Sequence, residues 1–223
     1  MQVLCFDGPE NVGKTFTIKI IKELIQRRSP EMKVIQVHFP SDKICSSDIF
    51  RKMVEPHEGF DLEKEFIDML IKEEMNFLGE NVPSYNNENY IFLIDRFILS
   101  SLVYQGTKSR ELENYILDKY ENLFNKFGLG NKLHHIVFMT QMGVEENPLN
   151  EAKKILDSQN ESSKQKYKDL IYRIQTNQLP NKLFKSFNVL DFTDITKGEI
   201  PNYFQKSLIL SLQIEKILTI LDQ

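Results

Sequence analysis

At 223 residues the chain is long enough for one sizeable α/β domain, and its 27% charged and 41% hydrophobic residues are ordinary for a soluble globular protein. A net charge of −4 argues against a protein built to hold duplex nucleic acid non-specifically, though not against a local basic pocket for a small anion. Two cysteines, Cys5 and Cys45, are too few for a disulfide framework, and no stretch reaches transmembrane length, so a cytoplasmic protein without membrane contact is expected.

The chain opens on Gln-Val-Leu-Cys-Phe (2–6), a short apolar strand in which Cys5 reads as a buried apolar residue. Gly8-Pro9-Glu10-Asn11-Val12-Gly13-Lys14-Thr15 follows, the G-x-x-x-x-G-K-T pattern of a phosphate-binding loop. A helical stripe of Phe16, Ile20, Ile21, Leu24 and Ile25 covers residues 15–28. The order strand, glycine loop, helix is what the chemistry needs. Gly8 and Gly13 let the backbone curl so that its N–H groups point inward at phosphate oxygens, and the helix N-terminus adds partial positive charge. In this pattern Lys14 reaches the β- and γ-phosphates and the Thr15 hydroxyl ligates Mg²⁺. A chance match at an ordinary helix start is the competing account, and the strand and helix around the motif weigh against it. The motif starts at residue 8, which leaves no room for a signal peptide before it.

Residues 33–38 form a second predicted strand, ended by Phe39-Pro40-Ser41-Asp42. A short helix over 47–54 and a long one from Phe60-Asp61 follow, the latter with Phe66, Met69, Leu70, Phe77 and Leu78 on its apolar side. After a polar, Asn-rich loop, Tyr-Ile-Phe-Leu-Ile-Asp (90–95) is an almost continuous apolar run ending in an acid, the pattern of a central parallel strand. Asp95 then stands where ligands bind in open α/β sheets, fit to orient Mg²⁺ and equally fit to cap the next helix.

Residues 110–128 are an amphipathic helix, broken at Gly128-Leu-Gly130. His134–Thr140 is a fourth strand whose two histidines point to opposite faces and read as strand-edge residues, not metal ligands. Residues 144–166 lack a long apolar stripe and suit a mobile lid, and periodicity starts the next helix at Tyr167 and carries it to Gln175. A fifth strand (187–192) precedes Pro201, placed at a helix start, and a terminal helix lined by Phe204, Leu208, Leu212, Ile217 and Leu221. Five strands alternating with helices predict one domain over 1–223: a three-layer α/β fold with a five-stranded parallel sheet flanked by helices.

Residues 95–106, Asp-Arg-Phe-Ile-Leu-Ser-Ser-Leu-Val-Tyr-Gln-Gly, are the second motif. With the phosphate loop they resemble the thymidylate kinase family, whose signature here is D-R-[YHF]-x-x-S-[ST]-x-A-Y-Q-G; Val103 is the one departure. Phe39-Pro40, Glu10 and the order of the last third match as well. The resemblance implies a P-loop nucleoside monophosphate kinase using ATP and Mg²⁺ to phosphorylate a deoxynucleoside monophosphate, dTMP above all, as a homodimer. It implies that Lys14, Asp95 and Arg96 are catalytic, with Arg96 on the acceptor's α-phosphate between the two nucleotides. Glu10 would hold the acceptor's 3′-hydroxyl, with Phe39, Pro40, Ser100, Tyr104 and Gln105 completing the acceptor site. The chemistry agrees: Arg96 is a rigid charged fork, Ser100 and Tyr104 share a helix face, and Gln105 offers a base edge both donor and acceptor.

Three departures stand out. The family usually has an arginine in the phosphate loop, the lid, or both. Here Asn11 or Val12 stands in the loop, and no arginine lies between Arg110 and Arg173. Lys153, Lys154, Lys164 and Lys166 are the candidate lid cations. The helix lining the thymine pocket usually carries Phe and, a turn later, Arg; alignment puts Ile71 and Met75 there, with Phe66 or Phe77 able to stack in a shifted register. After Phe39-Pro40 stands Lys43 in place of arginine, with Arg51 further on. Two other accounts remain: a deoxynucleoside kinase with a hydroxyl acceptor, and a nucleotide-binding relative that has lost catalysis.

Overall fold

The computed structural model describes residues 1–54, 59–81, 89–140, 142, 150–197 and 201–222, the side chains of 54 and 150–160 excepted. Five parallel strands run in the order β2 (Lys33–His38), β3 (Tyr90–Asp95), β1 (Gln2–Asp7), β4 (Leu133–Phe138), β5 (Ser186–Leu190). Each predicted strand is present within two residues. β1 lies at the centre, and its alternating side chains divide the core between two faces. Val3 and Cys5 pack into one cluster with α4 (Phe60–Asn81), α5 (Ile98–Tyr104), α6 (Arg110–Phe127) and α7 (Asn150–Gln175). Leu4 and Phe6 pack into the other, under α1 (Lys14–Arg28) and α9 (Tyr203–Leu221). Among the described residues no helix is long and apolar enough to cross a membrane.

Several elements differ from the expectation. α7 begins at Asn150, so residues 150–166 of the expected lid are helical and continuous with Tyr167–Gln175. An apolar stripe is not needed there: Lys, Glu, Gln, Ala and Leu are strong helix formers, and Tyr167, Leu170 and Ile174 anchor the C-terminal half in the core. Residues 144–149 and the side chains of Lys153 and Lys154 lie outside the described residues.

In α9 the phase is shifted. Phe204 and Leu208 are exposed, and Ile209, Gln213, Ile217 and Ile220 make the buried stripe. Apolar residues around most of this helix give its periodicity no single direction. Pro201 precedes the N-cap, which is Asn202, in a reciprocal capping box with Gln205. The histidines are not at an edge, because β4 lies between β1 and β5. His135 is fully buried, its Nε2 2.9 Å from the Leu183 carbonyl oxygen, and burial pushes its pKa down to about 4, so it packs as a neutral ring.

The two short helices α2 (Asp42–Cys45) and α3 (Asp48–Val54) and the four-residue α8 (Thr193–Thr196) complete the α-helices among the described residues, and two 3₁₀ turns, Gly106–Lys108 and Asn181–Leu183, flank α6 and β5. The carboxyl ends of β1, β2 and β3 converge, and the loops leaving them build the site.

Candidate functional site

β1 delivers the chain into the loop 8–13, and α1 starts at Lys14 with Gly13 as its N-cap. The loop is shaped for close approach. At Gly8 the backbone has φ 137°, and a Cβ there would fall 2.3 Å from the carbonyl oxygen of Phe138. No other residue fits. Gly13 is also left-handed, at φ 81°. Lys14 curls back over the loop and donates from Nζ to the Gly8 (2.9 Å) and Pro9 (2.6 Å) carbonyl oxygens. Burial, and next the charge of Arg96, push its pKa down to about 8. An anion in the loop would relieve both.

Thr15 donates its hydroxyl proton to Asp95 Oδ2 at 2.8 Å, tying the first turn of α1 to the end of β3. His38, at the end of β2, sets its Nδ1 3.3 Å from the same oxygen. Burial acts to raise the Asp95 pKa, but the hydrogen bonds from His38 and Thr15 outweigh it and hold the carboxyl below its usual range. Its other oxygen, Oδ1, is buried with no partner among the described residues. A hydroxyl and a charged carboxylate with a spare oxygen form a hard-oxygen donor set, which fits Mg²⁺.

Arg96 follows Asp95 in a left-handed conformation, φ 71°, with its N–H on the Phe6 carbonyl oxygen at 2.9 Å. Its guanidinium pairs with Glu10, lies 3.5 Å from the Tyr104 hydroxyl and stands over the Tyr104 ring at 5.6 Å. These groups open on a cavity of about 840 Å³, large enough for a nucleotide. Phe39, Pro40, Ser100, Tyr104, Gln105 and Lys166 all line it, as does Glu10.

The segment bearing Arg96, Ser100 and Tyr104 is held by a residue that sequence reasoning missed. Phe97, the N-cap of α5, offers no capping side chain. Asp7 does so from β1: its Oδ1 accepts from the backbone N–H of Phe97 (3.3 Å) and Ser100 (3.0 Å) and from the Ser100 hydroxyl (2.6 Å). The Ser100 hydroxyl also meets Tyr167 of α7 at 3.0 Å, so Ser100 is a buried link and not only a cavity wall. Asp7→Ala leaves the backbone N–H groups of Phe97 and Ser100 without this acceptor and is expected to cost about 2–4 kcal/mol of stability. Urea denaturation checks this; a loss below about 0.5 kcal/mol, the range of neutral surface changes, means the cap does not hold α5.

A thymidylate kinase family model matches residues 6–194, most of the chain. The chain belongs to the thymidylate kinase family. It is 30% identical to a thymidylate kinase of Staphylococcus epidermidis over 103 residues, 46% of this chain and 48% of that protein. Against a thymidylate kinase of Bacillus mycoides it is 36% identical over 101 residues, 45% and 47% of the two chains. These matches span about half the length of the curated relatives. A crystal structure of thymidylate kinase from Ehrlichia chaffeensis superposes with TM-score 0.54 over 100% of this chain and 98% of that one, at 10% identity, and so shares the fold.

The departures from the family pattern take definite form. On α4 the cavity is lined by Phe66 and Leu70, not by Ile71, which is in the core, or by Met75. Phe77 packs on Phe39 and Phe92. The residue one turn after Phe66 on the cavity face is therefore Leu70, which carries no charge. In the loop Val12 is buried in the core, and the Asn11 amide nitrogen is buried with no partner among the described residues; neither supplies a cation. Of the lid lysines with described side chains, Lys166 lines the cavity and Lys164 does not. Arg51 pairs with Asp48, and Arg173 makes a two-pronged pair with Glu113 at 2.5 and 2.7 Å. Asp7, His38, Tyr167 and Lys108 join the site without a motif to announce them; the strand-end positions of Asp7, beside Gly8, and His38, before Phe39-Pro40, are the sequence signals among the four.

Proposed function

We propose that this protein transfers the γ-phosphoryl group of ATP to a deoxynucleoside monophosphate, with dTMP as the preferred acceptor and dTDP as product. The observation that carries the reading is the pairing of Glu10 with Arg96, because Glu10 belongs at once to the phosphate loop and to the cavity wall. Two anion-binding places thus share one boundary, as a transfer between two nucleotides requires.

In this reading the loop amides and Lys14 hold the β- and γ-phosphates of ATP. Thr15 and Asp95 hold Mg²⁺, which when bound neutralises charge on those phosphates. Arg96 presents its fork to the acceptor's α-phosphate, and Glu10 takes the 3′-hydroxyl of the sugar. Little covalent chemistry is asked of the protein: alignment of donor and acceptor, and fixed positive charge around the moving group, lower the barrier. The same reading makes the enzyme a cytoplasmic homodimer that needs neither nucleic acid nor a membrane.

Lys166 is the lid cation that the reading favours, since it faces the cavity from α7 beside Ser162 and Ser163. Lys166→Ala is expected to lower kcat about tenfold with little change in ATP affinity, as a flexible point charge supplies less than the 10³–10⁵ of a supplied arginine. An unchanged kcat would remove the lid from the catalytic charge.

The acceptor is tested by comparing dTMP with thymidine under ATP and Mg²⁺. Turnover of dTMP alone supports the proposal, and turnover of thymidine alone makes the protein a deoxynucleoside kinase. The absence of a cationic side chain at Asn11 and Val12 favours one second reading, a family member that binds nucleotides without transfer; binding of ATP and dTMP with no product would establish it.

A further inference from the structure

Leu70 leaves α4 without a charged group toward the base, yet a cation stands close by on another element. α5 leaves Arg96 and rises roughly 10 Å over its seven residues before the turn Gly106–Lys108. Lys108 at the end of that turn lines the same cavity. Its ammonium pairs with Glu63, which is buried on α4. Glu63, Phe66 and Leu70 follow one another at helical spacing, so they share a face, and the last two line the cavity. Lys108 is therefore held on the side of Phe66, a helix-length away from Arg96, which is where the base of a nucleotide would lie if its phosphate met Arg96.

An ammonium has three N–H donors and no acceptor, and the pair with Glu63 engages one of them. It can meet a carbonyl oxygen on a base edge but not an amino group, which is also a donor. Gln105 lines the cavity too, but its amide carries both kinds of atom and can turn to suit either edge. Lys108 is the group that cannot adapt.

We propose that Lys108, held by Glu63, is a specificity-determining residue that selects a base with a carbonyl at this edge, thymine or uracil, over the amino-bearing cytosine. The inference rests on the proposed monophosphate kinase reading and names how that site reads its base. Lys108→Met keeps the aliphatic stem but takes the cation away from the buried Glu63 carboxylate, so the double variant Glu63→Gln/Lys108→Met is measured beside it, with a urea melt of each.

The test measures kcat/KM for dTMP, dUMP and dCMP, and their dissociation constants by calorimetry, in the wild type, Lys108→Met and Lys108→Arg. The wild type is expected to prefer dTMP and dUMP over dCMP by tenfold or more, about what one hydrogen bond to a charged group supplies. Lys108→Met should reduce that preference about tenfold, through the acceptor's KM and with the KM of ATP unchanged, and Lys108→Arg should keep most of it. A Lys108→Met enzyme with the wild-type ratio overturns the role of Lys108 alone. A wild type that phosphorylates no deoxynucleoside monophosphate overturns the underlying reading and this inference with it.

Discussion

Lys14→Ala is expected to lower kcat by about 10²–10³-fold while the fold stays intact, the size of loss seen when one donor to developing transition-state charge is removed. The geometry explains why the loss should fall on rate. Lys14 is buried, and it donates to two loop carbonyls, an arrangement that an incoming phosphate replaces. Its ammonium is disfavoured in the folded protein, as the lowered pKa records, so its removal takes away a charge that folding does not benefit from. The loss of its two hydrogen bonds to the loop carbonyls acts the other way, so stability should change little. Steady-state rates at saturating ATP and acceptor, together with a urea melt, check both halves. A mutant with near wild-type transfer would take the loop out of the reaction.

Arg96→Ala is expected to lower kcat/KM for the acceptor by about 10²–10³-fold, in line with truncating one partner of a buried charge pair, and to leave ATP binding nearly unchanged. Arg96 is enclosed by Glu10 and Tyr104 on the cavity side, whereas Lys14 and Thr15 lie in the loop. Arg96→Lys should recover only part of the loss, because a point charge cannot match a two-pronged guanidinium. The Glu10 left behind is half exposed, so its unpaired charge is solvated and the mutant stays folded. Loss of ATP affinity with an unchanged acceptor KM would reverse the assignment of the two sites.

What the sequence made legible is local. The loop 8–15 and the run 95–106 are contiguous, and their residue types carry the chemistry by themselves. The strands are short apolar runs bounded by polar turns, and all five were readable. Long-range relations were not. Asp7 reaches a helix whose capped residue lies 93 positions later, and no pattern around either residue marks the bond. The sequence leaves the α4 register open between Ile71 and Phe66 or Phe77, because these positions are all apolar, and only packing decides which of them meet the cavity and which the core. α9 failed in the same way: its apolar residues surround the helix, and contact with α1 selects the stripe that includes Gln213, to which Thr17 donates at 3.3 Å. No sequence pattern singles out Lys108, and only the fold brings Glu63 of α4 to it.

The measurement that tests the account most directly follows the γ-phosphoryl of labelled ATP with dTMP and Mg²⁺ present. The account predicts that the label appears in dTDP with the wild type, that Lys14→Ala and Arg96→Ala each nearly abolish its appearance, and that both mutants unfold in urea much as the wild type does. Label that never reaches dTMP in the wild type, or that reaches it equally well without Arg96, would contradict the claim that the phosphate loop and the Arg96 cavity form one transfer site.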